Sequence, residues 1–217
     1  MITPSILTDS LETAQQQLDL VAQKTPFKRV QIDVIDPEFA DNNTIHPIDI
    51  VDLELHNLEI DVHLMTNDPI NDVIECTQIP RITTIIAQIE RMTSQKDYFE
   101  HVHSYGIGVG FSLDFDTEIE ELDHTLLSQA SCVQVMANRA GHQGEVFGGE
   151  RVIQKIQTLQ RIKTALRAQF HIAVDIGLNP NTIMQSQYAG ADIFAVGSFL
   201  WQAPDFVTAV ESLHDFV

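Results

Sequence analysis

Basic residues are scarce in this chain: 12 Lys and Arg stand against 31 Asp and Glu, a formal net charge of −19. That excess of acid repels phosphate backbones and anionic lipid, so it argues against nucleic acid and membrane surfaces as partners. Cysteine is nearly absent. Cys76 and Cys132 each lie inside an apolar periodic segment, which suits two buried, reduced thiols in a cytoplasmic protein better than a disulfide. Long apolar runs are missing as well; the longest are strand-sized, far below the roughly 20 residues of a membrane span. Met1-Ile2-Thr3-Pro4 has neither a basic start nor an apolar stretch behind it, so nothing suggests export. No linker, low-complexity tract or domain boundary interrupts the 217 residues.

What the chain does have is one unit repeated. Hydrophobic residues make up 44% of it, ordinary for a globular protein. Short β-type runs recur at Ile2–Leu7, Arg29–Ile35, Leu58–Met65, Arg81–Ala87, Gly106–Leu113, Cys132–Ala137, His171–Asp175 and Ile193–Val196, each followed by a helical pattern. The first amphipathic stretch carries Leu11, Ala14, Leu18 and Val21 on one face, with Asp9 and Glu12 spaced as a capping box. The longest carries Val152, Ile156, Leu159 and Leu166, with Lys155, Arg161 and Lys163 largely off that face. Eight alternations of strand and helix predict a (β/α)₈ TIM barrel as a single domain over residues 1–217. A doubly wound open sheet is the second choice, but the first turn, Thr8-Asp9-Ser10, lacks the glycine it usually needs.

In such barrels the chemistry sits at the C-terminal ends of the strands. Period-two alternation puts Gln31, Asp33 and Ile35 on one face of strand two, and Asp61, His63 and Met65 on one face of strand three. Strand seven ends in Asp175, and strand one carries Ser5. A lone Asp at a strand end is commonly a cap, and a lone His a core residue bonded to a carbonyl. Charged groups inside a closed barrel are costly unless paired or functional, however, and Asp33, His63 and Asp175 converge from separate strands. Carboxylate and imidazole together are ligands for a first-row divalent metal.

Glycine forms the second cluster. Gly141, Gly144, Gly148 and Gly149 share the loop after strand six, Gly177 follows strand seven, and Gly197-Ser198 follows strand eight. Phosphate sites in these barrels are commonly built from the loops after strands seven and eight. Such a cradle needs no lysine.

These residues resemble the ribulose-phosphate 3-epimerase family over nearly the whole chain, in the same order of motifs. Pro4-Ser5-Ile6-Leu7 matches the family's opening segment, and Asp61-Val62-His63-Leu64-Met65 matches its third strand at every position. Gln31-Ile32-Asp33-Val34-Ile35-Asp36-Pro37 matches the second strand in part. Val135-Met136, Ala140-Gly141-His142-Gln143-Gly144-Glu145 and Phe147 correspond to the sixth strand and its loop. Val174-Asp175-Ile176-Gly177-Leu178, Ala189-Gly190-Ala191-Asp192 and Gly197-Ser198 correspond to the seventh and eighth.

The resemblance implies an isomerase that interconverts D-ribulose 5-phosphate and D-xylulose 5-phosphate. Asp33 and Asp175 would be the two proton-transfer groups at C3, acting through an enediolate. It implies a divalent metal, zinc or in its place manganese, iron or cobalt, held by Asp33, His63, Asp175 and the position of Gln31. Ser5, His63, Met65 and Met136 would line the sugar, and Gly141, Gly144, Gly177, Gly197 and Ser198 the phosphate. The resemblance also implies self-association, with no motif to set the number of subunits. Four departures bear on the site: Gln31 and Gln88 replace family histidines, Pro37 follows Asp36 in place of glycine, and Ile176 replaces a glycine. A neutral amide at position 31 should weaken the metal site. Two alternatives stay open, an epimerase of a related ketohexose 6-phosphate, and a silent barrel that binds a phosphorylated ligand or a protein. His142 lies in the loop after strand six, in reach of the site from above; His101, His103 and His124 read as solvated, and Tyr98, Phe99 and Trp201 as core or interface.

Overall fold

The computed structural model describes residues 1–142 and 144–216. Eight parallel strands, β1 (Ile2–Ile6), β2 (Arg29–Ile35), β3 (Glu59–Met65), β4 (Ile82–Gln88), β5 (Gly108–Leu113), β6 (Cys132–Met136), β7 (His171–Asp175) and β8 (Ile193–Val196), close in sequence order into a barrel. Closure is made by β1 and β8, where Pro4 faces Val196. Each run read from the sequence is a strand, with ends shifted by at most two residues.

Alternation along every strand divides two environments. Val30, Ile32 and Val34 of β2, Ile60, Val62 and Leu64 of β3, and Val133 and Val135 of β6 point outward into one continuous apolar layer. Helices α1 (Leu11–Lys24), α4 (Gln95–Ser104), α5 (Glu150–Leu166) and α6 (Pro180–Ala189) cover that layer with Leu18, Tyr98, Ile156 and Ile183, among others. The inward set is different in kind. Ser5, Gln31, Asp33, Asp61, His63, Thr84, Gln88, Ser112, Gln134 and Asp175 are all buried, where most barrels of this class are filled by Val, Ile and Leu. The apolar shell holds the fold, and the interior is given over to polar side chains.

Several local expectations are corrected. Ser10, not Asp9, caps α1: its side chain accepts from the Thr13 N–H, and Glu12 closes no capping box. The hydroxyl is one residue nearer the first turn, which is what lets it reach that amide. Leu11 and Leu166 are exposed, because each lies at the very end of its helix, beyond the barrel wall. No α-helix forms between β5 and β6, only a 3₁₀ turn at Ile119–Glu121, and the connections after β2 and β3 hold four-residue helices, α2 (Pro47–Ile50) and α3 (Val73–Cys76). Tyr98 and Phe99 are core, as read. Cys76 and Cys132 are buried free thiols. Among the described residues no helix is long and apolar enough to cross a membrane.

Lys155 departs furthest from its expected place on the outer face of α5. It is 5% exposed, and its ammonium donates to the carbonyls of Asp114 and Phe115, both at 2.7 Å. With no helix after β5 to cover these carbonyls, Lys155 reaches across from α5 and caps the strand's exit. Lys155→Met keeps the bulk and removes the donor, leaving the Asp114 carbonyl without this partner. We expect a loss of about 1–3 kcal/mol, or roughly 3–8 °C in thermal midpoint. Arg161→Met on the exposed face should stay within about 0.5 kcal/mol.

Candidate active site

The site is assembled by strand register. Asp33 on β2 stands beside His63 on β3, Gln88 on β4 beside Ser112 on β5, Ser112 beside Gln134 on β6, and Met136 beside Asp175 on β7. Because all point inward, residues up to 144 positions apart meet at the C-terminal mouth. Ligand atoms of Asp33, His63 and Asp175 lie within 4.8 Å of one another, all three side chains buried.

Gln31 is the centre of the arrangement. Its Nε2 donates to Asp33 Oδ1 and to Asp175 Oδ2, both at 2.8 Å, so one neutral amide joins the two carboxylates. Asp33 is held at its other oxygen by the Ser5 hydroxyl, 2.5 Å away. His63 is fully enclosed. Its Nδ1 faces Asp33 Oδ1 at 3.3 Å and Asp175 Oδ2 at 3.8 Å, and its Nε2 faces the Gln88 amide nitrogen at 3.2 Å. The Gln134 amide nitrogen lies 3.3 Å from His63 Nδ1 and 3.4 Å from Asp175 Oδ2. Alternation in β6 already places Gln134 on the face of Met136, a signal that sequence reading passed over. Three buried oxygens in the row β4–β5–β6, Gln88 Oε1, Ser112 Oγ and Gln134 Oε1, have no hydrogen-bond partner among the described residues. Each such orphan costs about 1–3 kcal/mol.

Above this layer opens a narrow cleft. Asp33 and Asp175 form its floor; Ser5, Met65, Met136, Gly141, Gly144, Gly177, Gly197 and Ser198, all singled out in the sequence, line its walls with His142 and Ile176. His142 thus stands at the mouth, and Gln143 lies outside the described residues. Gly148 is not in the cleft; a Cβ there would strike Phe115 and the Ala137 carbonyl. Gly149 serves as the N-cap of α5. Among the described residues no Lys or Arg lines the cleft. Met65 and Met136 of its lining pack with Ile35 and Ala140 in a small apolar group, with Ile176 against it. Ile176 has φ +78°, a rare conformation for a β-branched residue; it turns its N–H back to Asp175 Oδ1 at 2.7 Å. At Gly177, φ +67°, any side chain would run into the Phe147 backbone. Trp201 is half-buried against the core, and its indole N–H donates to the Ser5 carbonyl, tying the residues after β8 to β1.

Burial, and next the charge of Asp33, push the Asp175 carboxyl up to about 7; His63 and the Gln31 hydrogen bond act against the shift. A carboxyl poised near neutrality can hold a proton or release it at working pH, the property general acid–base catalysis needs. Three oxygen and nitrogen donors converging from two acids and one imidazole could also hold a metal ion.

Residues 1–201 match the ribulose-phosphate 3 epimerase family. The chain is 26% identical to the ribulose-phosphate 3-epimerase of Buchnera aphidicola subsp. Baizongia pistaciae, over 88% of this chain and 85% of that protein. It is 27% identical to the ribulose-phosphate 3-epimerase of Synechocystis, over 99% and 93%. Among solved structures, 3-hexulose-6-phosphate synthase superposes with a TM-score of 0.65 at 14% identity, covering 100% of this chain and 98% of that one, a likeness of fold.

The raised Asp175 carboxyl has a consequence for stability. Below its ordinary value of 3.8 both folded and unfolded chains hold the proton, and from there to about 7 only the folded chain does. Stability is therefore withdrawn as pH rises through that window. In protein purified with chelator, Asp175→Asn should leave the thermal midpoint near that of the parent at pH 4. By pH 7 it should raise the midpoint by roughly 8–16 °C, on the order of 4 kcal/mol. A difference that does not grow with pH would contradict this account of the carboxyl.

Proposed function

The chain belongs to the ribulose-phosphate 3-epimerase family, and from that premise we propose that it interconverts D-ribulose 5-phosphate and D-xylulose 5-phosphate, with Asp33 and Asp175 as its two bases. The observation that carries the reading is the pair of buried carboxylates on the floor of one cleft, joined through Gln31. Inversion at C3 requires a proton to leave one face and another to arrive on the opposite face. Asp175, with its raised affinity for a proton, is the acid at the start of a turnover. Asp33, which already accepts hydrogen bonds at both oxygens, is the base. In the reverse direction their roles exchange.

Asp33, His63 and Asp175 are the residues that would hold a divalent cation, which when bound would stabilise negative charge developing on the substrate oxygens. Gln31 aims its amide nitrogen at both carboxylates. To offer Oε1 to a cation the amide must turn and give up both hydrogen bonds, so this site holds its metal more weakly than one with imidazole there. On this reading the phosphate is assigned to backbone N–H groups at Gly177, Gly197 and Ser198, residues that line the cleft. The buried free thiols support a reducing, cytoplasmic setting.

Two measurements test the reading. Asp33→Asn and Asp175→Asn should each lower interconversion of the two pentose phosphates by about 10²–10⁴-fold. Either variant should still exchange the C3 proton with solvent deuterium, because abstraction and return on one face need one base. Gln31→His should tighten zinc binding on the order of 10-fold or more and raise the rate with it. A parent protein inert with added metal, together with an inert Gln31→His variant, would sink the epimerase reading and leave a binding role.

A further inference from the structure

We propose that Gln88 sets the tautomer of His63, and through it whether His63 Nδ1 is free to take a cation between Asp33 and Asp175; the last step rests on the metal reading given above. His63 has no solvent contact, so each ring nitrogen must find its partner in the barrel. Gln88 Nε2 lies 3.2 Å from His63 Nε2. In that arrangement the amide donates and Nε2 accepts, which puts the ring proton on Nδ1, facing Asp33 Oδ1 at 3.3 Å. A protonated Nδ1 has no lone pair to give a metal.

Two observations show that this arrangement is one of two. The first is that Gln88 Oε1 is buried without a partner. The oxygen and nitrogen of an amide are nearly equal in size, so half a turn about its last bond exchanges them without repacking. Oε1 then accepts from His63 Nε2–H, and the orphaned oxygen is gone. The displaced NH₂ has Ser112 on the adjoining strand as its register neighbour, whose Oγ also lacks a partner among the described residues. The second observation lies on the other side of the ring, where the Gln134 nitrogen sits 3.3 Å from Nδ1 and 3.4 Å from Asp175 Oδ2. It is a donor set against Nδ1–H in the first arrangement, and in the second, with a cation on the Nδ1 lone pair, it is left to donate to Asp175 Oδ2.

The same position therefore serves two states. With the triad empty of cation, Gln88 donates to Nε2 and the Nδ1 proton lies against Asp33, helping to separate the acids. With a cation bound, Gln88 accepts from Nε2–H and Nδ1 is a ligand. An outer partner that fixes the tautomer of a ligating histidine commonly changes metal affinity by about 10–100-fold. Gln88 is a positioning residue in this scheme; it does not line the cleft.

The test is nitrogen NMR on protein labelled at histidine, with His63 identified by the signal missing from His63→Asn, and zinc as the probe. The expected result is Nδ1–H in the zinc-free parent and Nε2–H after zinc is added. Gln88→Glu can only accept when ionised, so its zinc-free form should show Nε2–H. Gln88→Met keeps the volume, removes the amide, and should weaken zinc binding by about 10–100-fold in calorimetry. Unchanged zinc affinity in Gln88→Met, or one tautomer throughout all the folded proteins, overturns the proposal. Should the parent take up no zinc, the metal reading falls separately. The zinc-free comparison of parent with Gln88→Glu then decides alone: a change of tautomer supports the role of Gln88, and no change overturns it.

Discussion

Two carboxylates cannot share the dry interior of a barrel unless something stands between them, and here that is the amide of Gln31. It donates at 2.8 Å to both Asp33 and Asp175. A cation in that place would contribute full positive charge; the amide contributes two hydrogen bonds and no charge, so part of the repulsion is left to be met by protonation. Burial first, and then this remaining repulsion from Asp33, holds the proton on Asp175 toward neutral pH, and Ser5, His63 and Gln134 all lie against the same pair of acids.

The barrel can carry this polar interior because its cohesion lies elsewhere. Its continuous apolar layer runs between the strands and the helices, and alternation lets one strand serve both sides: Val30, Ile32 and Val34 for stability, Gln31 and Asp33 for chemistry. The oxygens of Gln88, Ser112 and Gln134, without a partner among the described residues, lie beneath the cleft, and the left-handed Ile176 lies in its wall; such strained and under-bonded groups gather in functional sites. Loss of the Asp175 charge would make the chain more stable and less capable. Stability and activity pull against each other at one residue.

Much of this was legible in the sequence. The strands were readable because their outward sets are predominantly apolar, and the glycines at 141, 144, 177 and 197 fall after adjacent strands and do meet in one cleft. Other features were not readable. Lys155 looks like a surface residue by periodicity, and only the missing helix after β5 explains why its ammonium turns inward to the carbonyls of Asp114 and Phe115. Gln134 is one polar residue in an apolar strand until register places it beside Ala173, on the strand that carries Asp175.

By itself the sequence determined the barrel, its two-faced strands, and the identity of the acids and the imidazole, because period-two patterning and strand-end chemistry are local properties of the chain. Only the tertiary structure decided how those groups stand toward one another. Closure brought positions 31 and 175 within hydrogen-bond distance. It also aimed the Gln31 amide nitrogen at both carboxylates, so that a residue read as a poor metal ligand became the bridge between two acids. Hydrogen-bond direction in a buried site depends on every neighbour at once, and those neighbours come from strands far apart in the chain.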